Sequence, residues 1–151
     1  MTKIHTEAAF ESVIEAHLLA HGYEHGNPKS FDAALGLDPV RLTAFIAATQ
    51  PKIWAAIETY YGNKAAAMLL DDLTRALASV GMLHVLRYGF NCFGKTLRVA
   101  YFAPANAMNP ETQALYAANV LTVTRQVHHS PDHPDAVTSI RLAAVHSATR
   151  F

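Results

Sequence analysis

GMLHVLRYGFNCFGKTLRVAYFA, residues Gly81–Ala103, is where the chain changes character. Upstream of it alanine dominates the apolar positions. Within it leucine, valine and aromatic residues take over, the composition of a pleated, half-buried surface. NCFGK supplies turn chemistry in the middle, so MLHVLRYGF and TLRVAYFA are predicted to form the two strands of a hairpin.

Working back from Gly81, the pattern is helical. Residues 64–80 carry Met68, Leu69, Leu73, Ala76, Leu77 and Val80 at helical spacing, with Gly81 as the C-terminal stop. Pro51 opens a preceding helix with Ile53, Trp54, Ile57 and Tyr61 on one stripe, ending at Gly62. Asp38 before Pro39 marks another start, since a carboxylate caps free N–H groups and proline suits a first turn. That helix should bury Leu42, Phe45 and Ile46. At the N-terminal end, with Thr6 as N-cap and Gly22 as stop, Phe10, Val13, Ile14, His17, Leu18 and His21 make an apolar stripe. Glu7, Glu11 and Glu15 fall on another face of that helix. The stretch GYEHGNPKSFD reads as a loop, so four helices are expected before any strand.

Working forward from Ala103, PANAMNP is a loop and Pro110 to about Asn119 a short helix. LTVTRQVHH then resumes the strand pattern. The predicted class is α+β, a helical N-terminal half followed by a small mixed sheet. At 151 residues and 51% hydrophobic composition, the chain has the apolar content for a buried core. Twelve Lys and Arg balance twelve Asp and Glu, so the chain as a whole carries no basic footprint for nucleic acid. The one cysteine, Cys92, excludes an internal disulfide and reads as a packing residue in a reducing, cytoplasmic setting. No apolar run is long enough to span a membrane.

The chemistry-bearing residues admit two readings each. His17 and His21 stand one turn apart on a helix, the geometry zinc helices use, with His25 four residues on; a polar helix face is the plainer account. In RQVHHSPDHPD, His128, His133 and Asp135 could hold a metal, yet the adjacent His128 and His129 point to opposite faces of a strand. Pro131 and Pro134 make a polar, strand-ending turn the alternative. Arg87, Arg98 and Arg125 lie within apolar strand patterns, where a charge needs a partner. Either they meet phosphate or a site carboxylate, or they pair internally with Asp or Glu. Phosphate-binding glycine loops, nucleophile elbows and zinc CxxC pairs are all missing.

Taken together, TEAAFESVIEAHLLAHGY, LGLDPVRLTAFIAATQPKIWAAI and GMLHVLRYGFNCFGKTLRVAYFAPANAMNPETQALYAANVLTVTRQVHHSP resemble the N-terminal region of the R (motor and nuclease) subunit of type I restriction enzymes. The resemblance runs from about Thr6 to Pro131 and rests on LxVLRxG, the YFxPxxxxNPE loop and the TRQxHxSP strand. It implies the front part of a PD-(D/E)xK nuclease domain, in which an Asp and a Glu-x-Lys hold Mg2+ and position the water that attacks a DNA phosphodiester. It also implies DNA and the modification and specificity subunits as partners, met through the complete subunit. Arg87, Arg98 and Arg125 are then the expected DNA contacts. Glu7, Glu11 and Glu15 are expected near the metal site.

The pattern breaks after Pro131. The implied catalytic Asp aligns near Thr138, with Asp135 three residues early, and Asp135 and Glu11 are the remaining catalytic carboxylate candidates. AVTSIRLAAVHSATRF contains no Asp, Glu or Lys, and neither Asp-x-Lys nor Glu-x-Lys occurs anywhere in the sequence. Residues 1–135 are therefore expected to form an R-subunit-like domain, and 136–151 a divergent tail, truncated or frame-shifted, with the catalytic core incomplete. A binding module that modulates a restriction complex or binds DNA is the alternative, and a histidine-based metalloprotein a further one.

Overall fold

The computed structural model describes residues 7–128 and 137–141, and among these the fold is α+β. The order is α1 (Glu7–Ala20), β1 (Glu24–His25), α2 (Pro39–Thr49), α3 (Pro51–Tyr61), a 3-10 turn (Gly62–Lys64), α4 (Ala65–Val80) and α5 (Met82–Tyr88). There follow β2 (Phe90–Cys92), β3 (Lys95–Leu97), α6 (Pro110–Ala117), β4 (Thr122–His128) and β5 (Val137–Arg141). Two compact units result, one from the described residues up to Asp38 together with those from Val120 onward, the other from Pro39–Asn119.

The continuous unit is built as its periodicity predicts through α4. Leu42, Phe45 and Ile46 of α2 are buried, with Ile57 of α3 and Leu69 and Leu73 of α4. Pro51 stands at the start of α3, where its missing N–H is not needed. Asn109 caps α6, its side-chain oxygen accepting from the N–H groups of Glu111 at 3.0 Å and Thr112 at 3.3 Å, with Pro110 next.

The hairpin departs from expectation. Met82–Tyr88 is a helix, α5, and the strands shrink to Phe90–Cys92 and Lys95–Leu97, paired Phe90 to Leu97 and Cys92 to Lys95. Strand propensity is overridden where a two-turn helix suffices to bury Val85, leaving Leu83 and Tyr88 exposed. Gly89 makes the switch from helix to strand. It sits at φ +79°, ψ −165°, a region essentially restricted to glycine. A Cβ there would fall on the carbonyl oxygen of Leu97 and within 3.3 Å of Thr96 Cγ2. Phe93 and Gly94 close the hairpin with both φ values positive, +54° and +68°, the pattern of a type I′ turn.

Two side-chain amides satisfy backbone that no strand reaches. Gln50 Oε1 accepts from Arg98 N at 2.9 Å while its Nε2 donates to Arg98 O at 2.8 Å. Asn119 treats Tyr101 in the same way, at 3.1 and 2.6 Å. Each pairing replaces a missing ladder partner for a carbonyl and an N–H.

The discontinuous unit has a three-stranded sheet in the order β1-β4-β5, with β1 parallel to β4 and β4 antiparallel to β5. A strand at Glu24–His25 corrects the reading of that stretch as loop alone and of four helices before any strand. Its pairing runs through Glu24 N to Leu121 O and Gly26 N to Val123 O, both 2.8 Å. The sheet is mixed, as expected, but the β2-β3 hairpin is a separate sheet. Val137–Arg141, within the stretch set apart as a tail, pairs with β4, matching Thr124 to Arg141 and Val127 to Thr138.

Helix α1 is rotated from the orientation its apolar residues suggest: Ile14 and Leu18 of the expected stripe are half-buried, but they share the inward face with Glu11 and Glu15. Glu11 is 4% exposed, whereas Phe10 and Val13 are 66% and 69% exposed. The helix packs on β4, and it is β4 that carries Arg125.

Candidate functional site

A buried carboxylate requires a counter-charge, and here it comes from the far end of the chain. Arg125 Nη2 and Nε donate to Glu11 Oε2 at 2.7 and 3.1 Å, and Nη1 donates to Glu15 Oε2 at 3.3 Å. Ser12 Oγ lies 3.5 Å from the same Nη1. On the outer side, His25 Nδ1 is 3.4 Å from Glu15 Oε1. Hydrogen bonding to Glu11 holds the guanidinium above its ordinary value; desolvation opposes this, and the bond to Glu15 adds to it. Arg125 is thus fixed as a cation whose fork is committed to two carboxylates on successive turns of one helix.

Successive turns also explain why the acids lie on one face. Glu11 and Glu15 are four residues apart, a spacing at which like charges repel. A cation facing them converts that repulsion into a clamp between helix and strand. The four-residue spacing of Glu11 and Glu15 shows that they share a face; that this face turns inward depends on Arg125, which no spacing within the helix reveals.

The other residues singled out by sequence are dispersed. Arg98 Nη1 donates to the carbonyl oxygen of Arg87 at 2.7 Å, which joins two of the three arginines through backbone instead of through an anion. Arg87 lies in the last turn of α5, not on a strand, and its side chain is exposed. His17 and His21 stack at 4.1 Å between ring centroids, and His21 Nδ1 lies 2.6 Å from His17 O. No group of three His, Cys, Asp or Glu suited to a metal occurs among the described residues. His133 and Asp135 lie outside those residues, as does the side chain of His128.

Could Glu11 and Glu15 hold Mg2+? A divalent ion needs oxygen ligands with lone pairs free, and here one oxygen of each carboxylate is already directed at a guanidinium. Bringing a dication beside that cation would add repulsion, so this donor set does not fit the metal. What the arrangement does chemically is hold two carboxylates in register against β4.

No described helix is long and apolar enough to cross a membrane. The chain matches no family model, no curated protein and no solved structure.

Proposed function

We propose that this chain is the N-terminal, nuclease-flanking portion of a type I restriction R subunit, catalytically incomplete by itself. The observation that carries the reading is the union of the first and last segments of the resemblance. TEAAFESVIEAHLLAHGY supplies Glu11 and Glu15, TRQVHHSP supplies Arg125, and the three meet in one clamp. Such a clamp would support the root of the strand that leads toward a nuclease's first carboxylate. The absence of Asp-x-Lys and Glu-x-Lys from the sequence supports the second half of the proposal, because the lysine that offsets charge on the phosphate has no counterpart. DNA and the modification and specificity subunits are the proposed partners, engaged through the family's complete subunit. Of Arg87, Arg98 and Arg125, Arg87 is the one proposed for phosphate, since its side chain is exposed while Arg98 and Arg125 donate to internal acceptors.

Purified protein incubated with plasmid DNA and Mg2+ should leave the plasmid supercoiled. Metal-dependent cleavage that disappears in Asp135→Ala would refute the reading.

A further inference from the structure

Apart from the clamp, the continuous unit carries a second cluster that the proposed function does not use. The Tyr60, Tyr61 and Phe93 rings lie together, with centroids 4.8 Å apart for Tyr60 and Tyr61, 4.9 Å for Tyr60 and Phe93, and 5.8 Å for Tyr61 and Phe93. Burial does not explain the grouping, since Tyr60 is 70% exposed and Phe93 38%. Nor does turn chemistry, since the first central position of a type I′ turn favours Asn, Asp or Gly. Phe93 holds φ +54° there, a conformation disfavoured for a bulky side chain. Strain retained at an exposed aromatic is an observation from which a functional role is inferred.

Charge indicates the occupant. The zero balance of the whole chain conceals a split: residues 39–119 hold seven Lys and Arg against four Asp and Glu. Two of those four acids, Asp71 and Asp72, are paired with Arg75, itself one of the seven cations. Lys64 closes the 3-10 turn that follows Tyr61, and Lys95 opens β3 two residues after Phe93; both are exposed. Glu58 lies two residues before Tyr60, about 200° around the helix from it.

We propose that Tyr60, Tyr61 and Phe93 form a stacking platform for the bases of single-stranded nucleic acid, with Lys64 and Lys95 meeting the backbone phosphates. Exposed rings accept any base face, and flanking ammonium groups track the phosphates without reading sequence. The platform is independent of the restriction reading: it needs no nuclease and uses none of the clamp residues.

The test is fluorescence anisotropy of the full chain with fluorescein-labelled oligo-dT and oligo-U of fifteen nucleotides, at 50 and 200 mM salt. Binding to one or both should weaken about tenfold in Tyr60→Ala and in Phe93→Gly. Phe93→Gly also relieves the turn, so its thermal midpoint should equal or exceed that of the parent, which separates lost stacking from lost fold. Lys64→Gln with Lys95→Gln should flatten the slope of log affinity against log salt by about 1.4. The oligo-dT and oligo-U arms distinguish DNA from RNA. Absence of binding, unchanged affinity in both aromatic variants, or tighter binding of a duplex of equal length would overturn the proposal. So would loss of the oligonucleotide to a proline-rich peptide that binds the same rings more tightly.

Discussion

Replacing Gly89 by alanine probes the junction on which the hairpin depends. Two separate penalties act there. The first is conformational: φ +79°, ψ −165° is a region that side-chain-bearing residues avoid, at about 1–3 kcal/mol. The second is steric: the new methyl group would fall on the Leu97 carbonyl oxygen and 3.0 Å from its carbon. Because those atoms are backbone, relief requires β3 to move away from β2, and forced displacement of packed structure costs about 1–3 kcal/mol more. Gly89→Ala should therefore lose about 2–6 kcal/mol, a large share of the stability a small domain possesses. Gly62→Ala provides the control. Gly62 has φ +58° but nothing within 4 Å of a Cβ, so it should show the conformational penalty alone. Urea unfolding followed by the fluorescence of Trp54, the single tryptophan, measures both variants against the parent. If Gly89→Ala lost no more than Gly62→Ala, the close approach of Gly89 to β3 would be disproved.

Two further outcomes follow from the buried polar groups. Arg125→Leu should destabilise the fold by leaving Glu11 buried without its cation, whereas Glu11→Leu with Arg125→Leu should recover most of the loss; equal losses in thermal unfolding would mean that the clamp does not bury a charge. Burial of Cys92, then its hydrogen bond to Asp72 and the charge on that carboxylate, push the thiol from 9.0 up to about 12. The unfolded thiol ionises more readily than the folded one, so the stabilisation it gives is complete below pH 9 and is lost as pH rises toward 12. The slope should reach about 1.4 kcal/mol per pH unit. In the native state at pH 8, Cys92 should react with a thiol reagent only at the rate of opening, and rapid labelling would show that it is accessible.

What could be seen from the residues alone was whatever rested on local periodicity. Helices α2, α3 and α4 and their buried residues Leu42, Phe45, Ile46 and Leu69 follow from spacing and from proline and glycine at the ends. Where tertiary partners decided the outcome, spacing misled. MLHVLRY has strand composition yet is helical, because one buried residue, Val85, is enough to seat a two-turn helix, and Gly89 then turns the chain. The apolar residues of α1 indicated its inward face only in part: Ile14 and Leu18 are half-buried but Phe10 and Val13 are exposed, because the location of Arg125 could not be read from residues 7–20. Of the candidate site, the spacing of the acids and the need of Arg125 for a partner were both legible. Their being partners of each other was not, as no local rule connects positions 114 residues apart. The amide pairings of Gln50 and Asn119 left no trace in composition at all.

The distance between those partners has a kinetic meaning. On a ribosome α1 emerges early, and Arg125 follows only after the whole of residues 39–119, which can assemble their own core in the meantime. At about 5–20 residues per second, Glu11 waits on the order of ten seconds for its cation. A helix whose buried face is acidic gains nothing by packing before then. Such a helix keeps its carboxylates in water, and the first unit begun is the last one finished.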